Sequence, residues 1–169
     1  MAGKETVSSV AGSRTGNNKW ALHQFLVSAG LPVLDTLTAD SPRSVAARLQ
    51  ALGRQGYRRA VLKSQVGASG IGMIRCSTTE PPHSIPDYLF HDGACMVQGW
   101  LEPGIAGIHQ IESPSVQLFL DESGAHSYDM TEQFLSGESV HEGNISPPPL
   151  LEERPELRTE DRKSTRLNS

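Results

Sequence analysis

The sequence predicts an α+β fold, with helices on one side and a mostly antiparallel sheet on the other. Three observations carry this. Strong helical signals fall in the first third of the chain, between Asn17 and Gly56. Most strand-like runs come after them, joined by turns and loops rather than by the helical crossovers that parallel strands need. The 16 glycines and 11 prolines among 169 residues supply those turns.

The elements follow in order. Residues 1–16 carry Gly, Ser and Thr with little apolar pattern, which predicts a flexible lead-in. "NNKWALHQFLVSAGLP" predicts a helix. Asn17 or Asn18 caps it, Leu22, Phe25, Leu26 and Ala29 line one face, and Gly30 and Pro32 stop it. "PVLDTLTA" predicts a short strand. "SPRSVAARLQALGRQG" predicts a second helix, with Ser41 as cap, Pro42 in the first turn, and Val45, Leu49 and Leu52 on one face.

"YRRAVLKS" and "GMIRC" predict strands on either side of a glycine loop. Residues 77–93 predict a Pro-rich surface loop with one helical turn at "IPDYLF". "ACMVQGWLE" predicts a strand, and "SVQLFLDESGAHSYDMTEQFL" a hairpin about a Ser-Gly turn. "SPPPLLEERPELRTE" reads as a Pro-rich break followed by the start of a helix. Leu22, Phe25, Leu26, Val45, Leu49, Leu52, Val61, Val97 and Leu118 are the expected core.

Composition narrows the function classes. A net charge of −4 argues against a general nucleic-acid binder. No apolar run approaches the roughly 20 residues of a membrane span, and "MAGKETVSSVAGSR" has no apolar signal segment. Cys76 and Cys95 match no metal spacing and read as two free thiols of a cytoplasmic protein. The last nine residues, "DRKSTRLNS", reverse-translate as GAT CGG AAG AGC ACA CGT CTG AAC TCC. That string looks like a sequencing-library adapter. Asp161–Ser169 is therefore expected to be a non-native tail on a protein that naturally continues; a genuine polar, basic tail is the other reading.

The stretch with most chemistry is "AVLKSQVGASGIGMI", from Ala60 to Ile74. Glycines let backbone N–H groups approach an anion, and a lysine adds a point charge with three donors. Lys63 precedes the loop and a strand follows, so this is not the loop in which a lysine opens a helix after the last glycine. Two readings stand on these residues: a flap over a polyphosphate, or a glycine-rich hairpin beside a solvated lysine.

Around it the chain shows, in order, a helix opening Asn-Lys, then "AGLPV", Lys63 at a strand end, "VGASGIGM", "MVQGWLE", "SVQLFLDESGAH" and "SVHEGNISPP". This succession resembles the ATP-grasp superfamily, including its carbamoyl-phosphate-synthetase-like members, over about residues 14–149. The resemblance implies a partial ATP-grasp domain at 17–150, with 151–160 as a linker or truncated element. It comprises the N-terminal nucleotide-binding subdomain and the start of the C-terminal one.

By resemblance, Lys63 contacts the ATP phosphates, and Gly67, Ser69, Gly70 and Gly72 form the flap over them. Lys19 matches the helix-start lysine that approaches a phosphate, or is an exposed first-turn lysine. Gln98, Gly99, Trp100 and Leu101 fall where backbone groups read the adenine edge, or Trp100 is core. His141 matches a histidine near the nucleotide, or makes an ordinary polar contact. Asn18 departs from the usual Asp. The ribose-binding glutamate is Glu102 or Glu112.

The family's magnesium ligands would lie beyond this sequence, so the resemblance implies ATP with Mg2+ whose ligands are absent, and a fragment without turnover of its own. The implied parent is an ATP-dependent ligase joining a small-molecule carboxylate to an amine through an acyl phosphate, an amino-acid or peptide ligase first. The alternatives are a biotin-carboxylase or carbamoyl-phosphate type using bicarbonate, and a non-catalytic binding or scaffold domain.

Overall fold

The computed structural model describes residues 9–67, 72–105, 108–136 and 141–155. Residues 161–169, expected to be a non-native tail, lie outside these. The chain forms two compact units that divide between His109 and Gln110.

The first unit opens with α1 (Val10–Gly16) and α2 (Lys19–Ser28). Residues 10–16, expected to be flexible, are helical because the Ser9 hydroxyl accepts from the Gly12 N–H at 2.9 Å. Asn18, rather than Asn17, caps α2 by accepting from the Ala21 N–H at 2.8 Å. Then come β1 (Thr36–Ala39), α3 (Pro42–Arg54), β2 (Arg59–Lys63), β3 (Met73–Ser77), a one-turn helix at Asp87–Phe90 and β4 (Cys95–Gly99). The four strands make an antiparallel sheet in the order β1-β4-β2-β3.

Strand alternation gives this sheet two unlike faces. One carries Ala39, Ala60, Leu62, Cys95 and Val97, fully buried with Val45, Leu49 and Leu52 of α3 and Leu89. Truncating such a leucine to alanine costs about 2–5 kcal/mol. The other face carries Thr36, Val61, Lys63, Met96 and Gln98, and register sets Thr36 opposite Gln98, Gln98 opposite Val61, and Met96 opposite Lys63.

The expected core is correct for Val45, Leu49, Leu52, Val61 and Val97. It is wrong for the first predicted helix. Leu22 is 50% exposed and Phe25 64% exposed, Leu26 is half-buried, and α2 has no buried residue. The apolar stripe is real, but part of it lines a cavity instead of meeting a second layer.

The second unit is a three-stranded antiparallel sheet of β5 (Pro114–Asp121), β6 (Gly124–Leu135) and β7 (His141–Ile145), with a short α4 (Leu150–Glu153). The hairpin turns at Ser123-Gly124 as expected. Asp121 Oδ1 accepts from the Ser123 N–H at 2.7 Å, and Gly124 has a φ of +133°, where glycine is favoured. Leu118, expected in the core, is exposed. Leu118, Phe119 and Leu120 are consecutive and so alternate between the two faces of the sheet, and all three are exposed; the register shift beside Leu118 places its extra residue in β6. No described helix is long and apolar enough to cross a membrane.

Candidate functional site

The polar face of the first sheet ends at a cavity of about 320 Å3. Lys19, Lys63 and Gln98 line it together with Leu22, Leu26 and Met96. Two cations and an amide thus share a hollow whose remaining wall is largely apolar.

Lys63 reaches it because β2 ends there. Its neighbours Leu62 and Ala60 face α3, so alternation turns Lys63 the other way. Its Nζ donates to Gln98 Oε1 at 2.7 Å, a diagonal contact between paired strands. Burial, and then the nearby charge of Lys19, pull the Lys63 pKa below the ordinary lysine value. Gln98 is fixed from its other end, where Nε2 donates to Thr36 Oγ1 at 2.9 Å.

Lys19 reaches it from the start of α2. Its backbone N–H donates to the Gln65 carbonyl at 2.8 Å and its Nζ to the Gly67 carbonyl at 2.6 Å. Burial lowers its pKa, against an opposing pull from Asp92. Asn18 explains the departure from the usual Asp. While its Oδ1 caps α2, its Nδ2 donates to Gln65 Oε1 at 3.1 Å, which a carboxylate cannot do. The helix start and the residues that open the glycine loop are therefore one hydrogen-bonded unit.

Gly67 and Gly72, at either end of the loop, have φ of +140° and +77°, conformations that glycine tolerates. Ser69 and Gly70 lie outside the described residues. Of the adenine-edge run, only the Gln98 side chain enters the cavity. The Gly99 N–H donates to the Asp35 carbonyl at 2.9 Å and the Trp100 N–H to the Arg59 carbonyl at 3.0 Å, so neighbouring segments hold both. Gly99 also answers a packing need, since a Cβ there would lie 2.4 Å from the Tyr57 ring. Trp100 is half-buried under the Arg75 guanidinium, 5.1 Å from the ring centroid, so it is not core. Leu101 is half-buried just beyond the strand.

The two ribose candidates have different surroundings. Glu102 is 8% exposed and held by arginines, with Arg58 Nε at 2.9 Å and Arg59 Nε at 2.5 Å. Glu112 lies in the second unit and accepts from Gln110 Nε2 at 2.5 Å. His141 is exposed at the first position of β7.

Sequence reasoning missed Thr36, Gln65 and the arginine pair Arg58–Arg59 because none carries a local signal. A threonine in a strand is ordinary, and these partners lie 62, 47 and 43 positions from Gln98, Asn18 and, for Arg59, Glu102. The described residues contain no grouping of three His, Cys, Asp or Glu side chains able to hold a metal ion.

No family model matches the chain, and no curated protein matches it in sequence. Solved structures do. An N5-carboxyaminoimidazole ribonucleotide synthetase in its ADP complex matches with a TM-score of 0.61 and 18% identity, over 94% of this chain and 39% of that one. The Aspergillus clavatus N5-carboxyaminoimidazole synthase, in complex with ADP and 5-aminoimidazole ribonucleotide, gives 0.60 and 18%, over 92% and 38%. The Vibrio cholerae D-alanyl-alanine synthetase A gives 0.59 and 15%, over 90% and 47%. This chain thus spans less than half the length of each. Its helices, its antiparallel sheets and their order are those of part of an ATP-grasp fold.

Proposed function

We propose that this chain is the ATP-binding part of an ATP-dependent carboxylate–amine ligase that works through an acyl phosphate, with an amino acid or peptide as the acid. The observation that carries this is the meeting of Lys63 and Lys19 at one cavity, with Lys19 bonded to the carbonyl of Gly67 where the glycine loop opens. A triphosphate needs cations at one end, and a purine needs an apolar slot at the other. Leu22, Leu26 and Met96 supply the slot. Synthetase structures in complex with ADP or ATP share the fold, which supports a nucleotide as the ligand.

In such a reaction a carboxylate oxygen attacks the γ-phosphorus and ADP leaves. The amine then attacks the acyl carbon, inorganic phosphate leaves, and the nitrogen loses a proton. Phosphoryl transfer asks the protein chiefly for positioning and charge neutralisation. Lys63 and Lys19 do this as paired cations, each held in place by an oxygen acceptor 2.6–2.7 Å away while its remaining N–H donors are left for phosphate oxygens.

A second reading has bicarbonate as the acid. It is favoured by the carboxyamino products in the names of the synthetases that share the fold.

The test is calorimetric titration of the chain with ATP, for wild type and Lys63→Ala. Saturable binding, weakened by roughly 1.5–3 kcal/mol in the variant, supports the proposal. Absence of binding at millimolar ATP, or an unchanged variant, overturns it. Repeating the titration with an amino-acid panel and with bicarbonate separates the two acids, because the true co-substrate shifts nucleotide affinity by linkage.

A further inference from the structure

Three hydrogen bonds run in series beneath Lys63. The Thr36 hydroxyl donates to the Leu34 carbonyl at 2.9 Å. A hydroxyl has one proton, so this bond leaves Thr36 Oγ1 able only to accept. Gln98 Nε2 donates to it at 2.9 Å. With the amide nitrogen so engaged, Gln98 Oε1 is the atom turned to Lys63 Nζ, at 2.7 Å. The opposite amide orientation would set an N–H2 against an ammonium and the amide oxygen against a hydroxyl oxygen whose one proton is already donated to Leu34.

The pairing of β1 with β4 uses backbone groups and does not need the Thr36 hydroxyl. Threonine and valine have nearly the same shape and similar strand preference. The hydroxyl is therefore surplus to the fold, and its effect is directional: it fixes which end of Gln98 faces the lysine.

We infer that Thr36 is a positioning residue for nucleotide binding, orienting the Gln98 amide so that its oxygen holds the Lys63 amine at the cavity. This rests on the proposal that the cavity binds ATP, and it adds a residue on a strand that the glycine-loop reading does not involve.

The test compares Thr36→Val, Thr36→Ser and the double variant Thr36→Val with Gln98→Glu. ATP affinity is measured by calorimetry, and the Lys63 titration by carbon-13 NMR of its ε-carbon without nucleotide. Thr36→Val should weaken ATP binding about five- to tenfold, the scale of one neutral hydrogen bond, and lower the Lys63 midpoint. Thr36→Ser should restore both to within about twofold of wild type. In the Gln98→Glu background, Thr36→Val should change neither, since a carboxylate accepts through either oxygen and needs no orienting. An unmoved Lys63 midpoint in Thr36→Val, or a Thr36→Ser variant as impaired as valine, overturns the inference. If wild type binds no ATP, the functional proposal fails, while the lysine titration still decides the role of Thr36.

Discussion

The Lys19 side chain closes onto the Gly67 carbonyl at 2.6 Å, so the first residue of α2 holds the first glycine of the loop that follows β2. The contact links a helix start to a strand end across 48 positions. Replacing Lys19 by Ala should therefore loosen the segment before the loop. Exchange of the amides at positions 19 and 21, which donate to the Gln65 carbonyl and to Asn18 Oδ1, should accelerate about tenfold or more, with the α3 core unchanged. Unchanged exchange at both amides would show that Gln65, through its bonds to Asn18 and Ala94, suffices to hold the segment.

The two lysines give a pH signature. Both have pKa values lowered by burial, Lys63 further by Lys19, while Asp92 partly offsets the shift at Lys19. Between the lowered folded values and the unfolded 10.5, the unfolded chain binds more protons. Stability should therefore rise with pH through that window, as the buried cations become neutral. ATP affinity should run the opposite way, falling over the same interval because neutral amines hold phosphate less well. Parallel series of urea melts and ATP titrations from pH 7 to above 10 check both signs. Two slopes of the same sign would contradict the assignment.

Gly99→Ala should destabilise the first unit by about 1–3 kcal/mol, the usual cost of forcing volume into a packed site. The added Cβ would meet Tyr57 Cε1 at 2.4 Å, and the ring is tied by its hydroxyl to Asp35 at 2.9 Å. Tyr57→Leu in the same chain should recover part of the loss. Chemical denaturation of the two single variants and the double variant measures this. Full additivity would place the strain elsewhere.

Glu102→Gln should lower stability while leaving ATP affinity within about twofold. The carboxylate is nearly buried and engaged by Arg58 and Arg59, whose side chains are themselves more than half exposed. The cost should be about 1–3 kcal/mol, toward the low end because water can solvate the released arginines. A large fall in nucleotide affinity without loss of stability would return Glu102 to the ribose.

The two cysteines should react slowly with thiol reagents. Burial pushes the thiols of Cys76 and Cys95 up to about 11, and only a small fraction is thiolate at pH 8. Both should titrate promptly with an aromatic disulfide after denaturation and hardly at all before it. Rapid labelling of the native chain would mean that the β3 edge opens readily.

By itself the sequence determined the elements whose signal is local. The face of α3 with Val45, Leu49 and Leu52, the apolar run into Lys63 at the end of β2, the turn before Gly124 and the Asn-Lys start of α2 all stand where the pattern put them. Spacing states which residues share a face, and a cap or turn needs only its near neighbours. What covers a face is not local. The stripe of α2 has helical spacing like that of α3, but α2 is the less amphipathic helix, with Trp20, Ala21 and Val27 also apolar. Leu22 and Leu26 border a cavity, where the sheet presents Lys63 and Gln98 beside Met96. Only the strand order β1-β4-β2-β3 set Thr36 beside Gln98 and Gln98 beside Lys63. Likewise, only the return of the chain past the end of β4 carried Glu102 to the arginines at the start of β2. Those partners are dozens of residues apart, and strand order, which no single segment encodes, decides which of them meet.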